Sequence, residues 1–314
     1  MACSRRKIAV VGAGATGTTT ALLLAQEGAG DIVLLDIPEV EDPTRGRSLD
    51  LAEASPILQT TGNLQGGSEM ELLRGADVVI ITAGIPRKPG MSRDDLVVTN
   101  QQIVHGIGKN IARFAPDAVV IVLSNPVDAM TYVVFKATGF PPQRIIGQSG
   151  VLDTARFRYF VSEALGVAPR DVCGLVLGGH GDAMVPLTRY TTVGGVPLTQ
   201  LLDESKISAL VERTRKGGGE IVQLLKTGSA YFAPGAALVE MTMAVLQDSK
   251  RVLPAVVYLQ GEYGYRDFYL GLPAVLGASG VERILTIDLT SEEKSALEFS
   301  VNSVRSVLQV LKAV

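Results

Sequence analysis

The stretch from Lys7 to Gly17, KIAVVGAGATG, decides the fold. Its apolar run Ile8 to Val11 reads as a buried strand, breaks directly into the glycines Gly12, Gly14 and Gly17, and is followed by a helical pattern from Thr16 to Gln26. That order of strand, glycine turn and helix is what a dinucleotide pyrophosphate needs. Gly12 permits the tight turn, Gly14 lets backbone N–H groups approach the phosphates, and Gly17 lets helix and strand pack closely, while the helix N-terminus favours the anion. Asp36 ends the next apolar run, LLD, 19 residues beyond Gly17. A carboxylate there accepts both ribose hydroxyls of an adenosine and repels a 2′-phosphate, so the expected cofactor is NAD rather than NADP.

Further short runs rich in Val and Ile, Ile32 to Leu35, Val78 to Ile81 and Val119 to Leu123, read as buried parallel strands. Helical patterns at Ser68 to Leu73 and Val97 to Phe114 alternate with them, which predicts an α/β chain with a doubly wound parallel sheet over residues 1–150. Beyond Gly150 the pattern changes to a helix from Asp153 to Leu165, a strand at Val172 to Leu177, a hairpin around Gly194 and Gly195, and then longer helices. Residues 151–314 are therefore expected to form a C-terminal α+β domain. A last helix opens with a Thr290/Glu293 capping box and carries Leu297, Val301, Val304, Leu308 and Leu311 at three- and four-residue spacing, the mark of a buried structural face.

Composition narrows the function classes. The 29 basic and 32 acidic residues are interspersed and leave a net charge of -3, so no basic face is offered to nucleic acid. Cys3 and Cys173 stand in no CxxC or Cys/His cluster, which argues against a disulfide framework or a zinc site and for a reducing cytoplasm. The amino-terminal apolar run meets glycine after four residues, too soon for a signal peptide, and no run approaches the roughly 20 residues needed to span a bilayer.

Only two histidines exist, His105 and His180, so a general acid/base near neutral pH has few candidates. His105 falls among Ile103, Val104 and Ile107 of a helix, the setting of a structural histidine. His180, in LVLGGHGD, stands where a strand runs out into a glycine-rich turn. A carboxylate on its other ring nitrogen would orient it and stabilise its cation, and Asp153 and Asp182 are the candidates. Asp153 and Arg156 in VLDTARF share a helix face, so one helix can offer an acid to the histidine and a guanidinium to a substrate carboxylate. The stretch AGIPRKPGMSRDDL carries Arg87, Lys88 and Arg93 among glycines and prolines and reads as a mobile lid that closes on an anion. Asn125 follows the fourth strand, where ligands bind in such sheets, and its amide is available to cofactor or substrate; Asn100 is a second cofactor-side candidate.

Together GAGATG, SNPVD, LDTARF, GGHGD, the arginine-bearing lid and the later GSAYFAPG resemble the lactate/malate dehydrogenase family along essentially the whole chain. The resemblance implies a Rossmann domain followed by a substrate-binding catalytic domain. It assigns the acid/base to His180, its carboxylate partner to Asp153, the first substrate carboxylate to Arg156, the polarised carbonyl to Arg93 and a substrate hydrogen bond to Asn125. Six residues before Arg93, where the malate members carry arginine and the lactate members typically glutamine, stands Arg87, which implies malate and oxaloacetate as the substrate pair. The family's turn serine or threonine corresponds to Ser229 or lies beside it at Ala230. A homodimer or homotetramer is further implied. The competing expectations are a lactate or broader 2-oxoacid dehydrogenase and a non-catalytic NAD-binding regulator, which would have no need of His180, Asp153 and three substrate arginines.

Overall fold

The computed structural model describes residues 5–86 and 92–312. Elements in chain order are β1 (Lys7–Val11), α1 (Ala15–Gln26), β2 (Asp31–Leu35), α2 (Glu41–Leu58), β3 (Leu64–Gly67), β4 (Val78–Ile81), α3 (Arg93–Phe114), β5 (Val119–Val122), α4 (Val127–Thr138) and β6 (Ile145–Gly147). Six parallel strands run in the order β3-β2-β1-β4-β5-β6. The order reverses beside β1, so a crevice opens at the carboxyl ends of β1 and β4, next to the glycine turn.

Successive residues of these strands alternate between two cores. Ile8, Val10, Ile32, Leu34, Val78 and Ile80 pack on one face with Ala21 and Leu24 of α1. Ala9, Val11, Val33, Leu35, Val79 and Ile81 pack on the other with Val104 and Ile111 of α3 and Met130 and Val133 of α4. Both faces being covered, the strands show no polar alternation and read as continuous apolar runs.

The chain continues through α5 (Gly150–Leu165), β7 (Val172–Cys173), β8 (Val176–Leu177), β9 (Val185–Pro186), β10 (Thr192–Val193), β11 (Val196–Pro197), α6 (Leu198–Leu201), α7 (Glu204–Leu225), α8 (Phe232–Leu246), β12 (Arg251–Gln260), β13 (Arg266–Gly277), β14 (Gly280–Ile284) and α9 (Ser291–Leu308). β12 joins β6 antiparallel, and β13 and β14 extend the sheet to nine strands, so one sheet runs from either side of Gly150. Leu238 and Met241 of α8 complete the first core beneath β12 and β13.

Three expectations need correction. Ser68 to Leu73 is no α-helix but a 3-10 turn over Met70–Leu73, too short to hold a helical stripe. The strand foreseen at Val172 to Leu177 divides into β7 and β8, which pair in different sheets with β10 and β9. The helix foreseen from Val97 begins at Arg93, because Ser92 caps it: Ser92 Oγ accepts the Asp95 N–H at 3.0 Å and Asp95 accepts the Ser92 N–H at 3.1 Å. The hairpin does form, β10 and β11 pairing across Gly194 and Gly195, both at positive φ. The Thr290/Glu293 box is closed in both directions, at 2.8 and 3.2 Å. Among the described residues no helix is long and apolar enough to cross a membrane.

Candidate active site

The glycine turn owes its shape to contacts that no side chain would tolerate. A Cβ on Gly12, whose φ is +108°, would lie 2.5 Å from the Ala83 nitrogen, and one on Gly17 would lie 1.9 Å from the Gly12 carbonyl oxygen. Gly17 thus lets α1 rest directly on the turn. Gly17→Ala must push the two apart, and we expect a loss of about 1–3 kcal/mol of stability with weakened NADH binding, read by thermal melting and NADH fluorescence titration. Gly14 differs: among the described residues nothing comes within 4 Å of a Cβ built there, and it is exposed as the N-cap of α1, with no side chain to cap the helix. The first turn of α1 carries no acidic residue, so its N–H groups meet an anion without competition.

Asp36 stands across the crevice. Its Oδ2 accepts the Ala13 N–H at 2.7 Å and its Oδ1 accepts the Ile37 N–H at 2.9 Å. Two backbone amides thereby orient a half-buried carboxylate with a lone pair left on each oxygen, which is the acceptor pair that ribose hydroxyls need. Open cradle, free helix terminus and anchored acid fit NAD.

The second cluster hangs on α5. Asp153 lies in its first turn, 2% exposed, with Arg156 one turn on. Thr154 Oγ1 accepts the Val176 N–H at 3.1 Å, fixing β8 against α5. The loop from β8 to β9 therefore leaves over Asp153 and delivers His180 to it, the imidazole Nδ1 lying 2.9 Å from Asp153 Oδ2. The other carboxylate oxygen, Oδ1, accepts from Arg156 Nη1 at 3.3 Å. One buried carboxylate thus carries both groups.

The charges follow from that geometry. Asp153 holds the His180 pKa above its ordinary value of 6.5, against burial and the Arg156 charge, which pull it down. Because an ionised carboxylate only accepts, Nδ1 carries the hydrogen and Nε2 is the free face of the neutral ring. Burial lowers the Arg156 pKa and Asp153 opposes that. The Arg156 Nε is buried without a hydrogen-bond partner among the described residues. Room for the guanidinium comes from α7, where a Cβ on Gly217 would stand 3.3 Å from Arg156 Cδ.

Asn125 lines a cleft together with His180, Asp128, Gly179 and Ser303, so two of the expected site residues meet there. Asn100 is 1% exposed and its amide is taken up by the chain: Oδ1 accepts the Ile85 N–H at 2.9 Å and Nδ2 donates to the Asn125 carbonyl at 2.7 Å. It braces the segment before Arg87 against the Asn125 loop. Arg87 lies outside the described residues, and so does the side chain of Arg93. Asp182 is exposed, Ser229 is exposed in the connection between α7 and α8, and His105 is half-buried within α3.

Two groups around His180 escaped the reading of the sequence. Asp128 Oδ2 accepts the His180 backbone N–H at 3.3 Å, and Ser300 Oγ accepts the Gly179 N–H at 2.7 Å. Burial pushes the Asp128 carboxyl up to about 6, with the His180 amide and imidazole acting against it. Asp128 closes the quoted SNPVD motif, and no local pattern marks it as a partner of His180. Ser300 sits between Leu297 and Val304 on the buried face of α9, and a hydroxyl on an apolar stripe was the available signal.

A glycine cradle at the sheet's switch point and a carboxylate-backed histidine at its edge define a dinucleotide-dependent dehydrogenase. The chain belongs to the lactate/malate dehydrogenase family, whose NAD binding domain matches residues 6–147 and whose alpha/beta C-terminal domain matches residues 150–313. The malate dehydrogenase of Bacillus cytotoxicus is 58% identical over 311 residues, 99% of this chain and 100% of the relative. Among solved structures, the malate dehydrogenase of Picrophilus torridus in its apo form superimposes with a TM-score of 0.95 at 41% identity, covering 98% of this chain and 97% of its own. The lactate dehydrogenase of Cryptosporidium parvum complexed with lactic acid and NAD gives 0.94 at 39% identity, covering 98% of each chain. Backbone likeness alone does not separate malate from lactate, since both kinds of enzyme superimpose equally well.

Proposed function

We propose that the chain is an NAD-dependent malate dehydrogenase that interconverts (S)-malate and oxaloacetate, with residues 1–150 binding the cofactor and 151–314 carrying the catalytic side chains. The observation that supports it most is the 2.9 Å pairing of His180 with a buried Asp153 whose other oxygen holds Arg156. That is a proton acceptor on the β8–β9 loop and a carboxylate receptor on α5, joined through one carboxylate. When bound, NAD supplies the hydride acceptor. His180 Nε2 takes the hydroxyl proton of malate as the carbonyl forms, and Asp153 stabilises the resulting imidazolium. In reduction of oxaloacetate the protonated ring gives that proton back.

Arg156 binds the carboxylate next to the reacting carbon, Arg93 polarises the carbonyl and Asn125 hydrogen-bonds the substrate. Gly12, Gly14 and Gly17 receive the pyrophosphate and Asp36 the adenosine ribose. Asn100 serves the cofactor side by bracing Asn125.

Arg87 carries the choice of substrate. A second carboxylate neutralises it, whereas the methyl group of pyruvate leaves its charge enclosed and unpaired, at a cost of about 2–5 kcal/mol. Initial rates of NADH oxidation with oxaloacetate and pyruvate at matched concentrations test this, and we expect oxaloacetate to be preferred by about two decades or more. Arg87→Gln should lose oxaloacetate activity far more than NADH affinity. A pyruvate preference in the parent overturns the substrate assignment, and equal losses of activity and NADH affinity in the variant overturn the role of Arg87. No turnover with either substrate would favour a non-catalytic NAD-binding regulator.

We also infer a homo-oligomer in a reducing cytoplasm. On α2, Leu49 and Ile57 are 60% and 83% exposed, an apolar surface that a second copy would cover and that sedimentation velocity tests directly.

A further inference from the structure

We propose that Asp128 and Ser300 are positioning residues for His180: from α4 and α9 they clamp two consecutive backbone amides, those of His180 and Gly179, and so hold the imidazole on Asp153 while its proton comes and goes. This rests on His180 being the acid/base.

The case begins with a conflict in the sequence. His180 lies within Gly178–Gly179–His180–Gly181, and Gly178 and Gly181 sit at φ of +86° and +101°. Glycines have more backbone freedom than any other residue, yet a general base must stay within a few tenths of an ångström of its line of transfer. The Asp153 bond holds the ring but not the chain that carries it. Three successive amides supply the missing restraint, each bound to a different element. The Gly178 N–H donates to the Gly271 carbonyl of β13 at 2.8 Å, the Gly179 N–H to Ser300 Oγ at 2.7 Å, and the His180 N–H to Asp128 Oδ2 at 3.3 Å.

The glycines are what admit these partners. A Cβ on Gly178 would lie 2.5 Å from Ser300 Oγ, and one on Gly179 would lie 2.8 Å from Val304 Cγ2 and 3.5 Å from Asp128 Oδ2. The loop is thus bare of side chains where the clamp closes on it. Both clamping groups are buried, Ser300 at 0% and Asp128 at 7% exposure. Asp128 Oδ1 has no hydrogen-bond partner among the described residues, so the His180 amide is the contact that accounts for this carboxylate.

The test uses the full-length enzyme with Asp128→Ala, Asp128→Asn, Ser300→Ala and a His180→Asn control. Each is measured for kcat, KM for oxaloacetate, NADH affinity, melting temperature and the solvent deuterium isotope effect on kcat. Asp128→Ala should lose about 30- to 100-fold in kcat, the scale of a misplaced catalytic group, with KM and NADH affinity within about twofold and an increased isotope effect as proton transfer becomes limiting. Asp128→Asn should recover to within about fivefold of the parent, because its amide oxygen can accept the same N–H. Ser300→Ala should lose about fivefold or more in kcat by the same logic.

The clamp is overturned if Asp128→Ala keeps parental kcat, if Asp128→Asn falls as far as Asp128→Ala, or if kcat, KM and NADH affinity decline together with melting temperature. Should Asp128→Ala fail to fold, Ser300→Ala decides: a parental kcat and isotope effect overturn the clamp, and a selective loss of kcat supports it. His180→Asn separates the two layers. Retained turnover in that control removes the acid/base reading, whereas a dead control beside a fully active Asp128→Ala removes the clamp alone.

Discussion

His180→Asn should bind NADH normally and lose about 10³- to 10⁴-fold in turnover of oxaloacetate and of malate, the upper part of the roughly 10²- to 10⁴-fold that a positioned general acid/base contributes. Asparagine keeps a hydrogen bond toward Asp153 but can neither accept nor deliver a proton at neutral pH. Asp153→Asn tests the same unit from the other side. Asp153 is the largest influence raising the His180 pKa, and its loss leaves burial and the Arg156 charge to depress it. With His180 as the proposed acid/base, reduction of oxaloacetate needs the imidazolium, so kcat/KM should be flat below the His180 pKa and fall above it. Oxidation of malate needs the neutral ring and rises through the same inflection. In Asp153→Asn both inflections should move to lower pH, and at pH 7 the reduction should lose more than the oxidation. Turnover should drop by about 10²-fold or more as well, since an amide can stabilise the wrong ring tautomer. Pre-steady-state pH profiles in both directions read this out, and an unmoved inflection would sink the pairing.

What the sequence made visible follows from the kind of signal each element leaves. β1, β2, β4 and β5 are covered on both faces, and four or five apolar residues in a row announce them wherever they stand. The glycine turn was legible because its pattern is local: Gly12 and Gly17 meet each other five residues apart, although the Ala83 nitrogen that crowds Gly12 comes from just beyond β4. α2 left little trace, since only Thr44 and Ser48 of its 18 residues are buried and no apolar stripe marks it. β12 and β13 were equally silent about their place, because the parallel edge at β6 that they complete lies about a hundred residues earlier.

The active site divides along the same line. Asp153 and Arg156 were readable as one helix face, and their ion pair spans three residues. The pairing of His180 with Asp153 rather than Asp182 is a matter of tertiary structure, set by Thr154 holding β8 on α5: local pattern left both open, and only the family resemblance pointed to Asp153. Asp128 and Ser300 act through backbone amides 52 and 121 residues away, and a contact with an amide selects no particular side chain at the other end. A polar residue on the inner face of α9 was the one mark available. It reads as a defect in a stripe until the Gly179 amide is found beneath it.

Arg156→Ala should lower kcat/KM for oxaloacetate by about 10³- to 10⁴-fold, close to the effect of removing His180, because two buried charges lose their partner at once. The side chain is 12% exposed and its neighbour Asp153 2%, so water replaces little of what is removed. The substrate carboxylate loses its receptor, and Asp153 is left with His180 as its only cationic partner among the described residues. Freed from the guanidinium, Asp153 should raise the His180 pKa further, so the pH inflection moves upward, opposite in sign to Asp153→Asn. Arg156→Lys separates the two contributions. An ammonium can still neutralise Asp153, which should bring the inflection back toward that of the parent, but it cannot present two parallel N–H groups to a carboxylate. Its kcat/KM should therefore remain about 10²-fold below the parent. Lysine at full activity would show that charge suffices and that the planar fork is unused. An inflection that moves the same way in Arg156→Ala and Asp153→Asn would show that the Arg156 and Asp153 charges do not act on His180 with opposite signs.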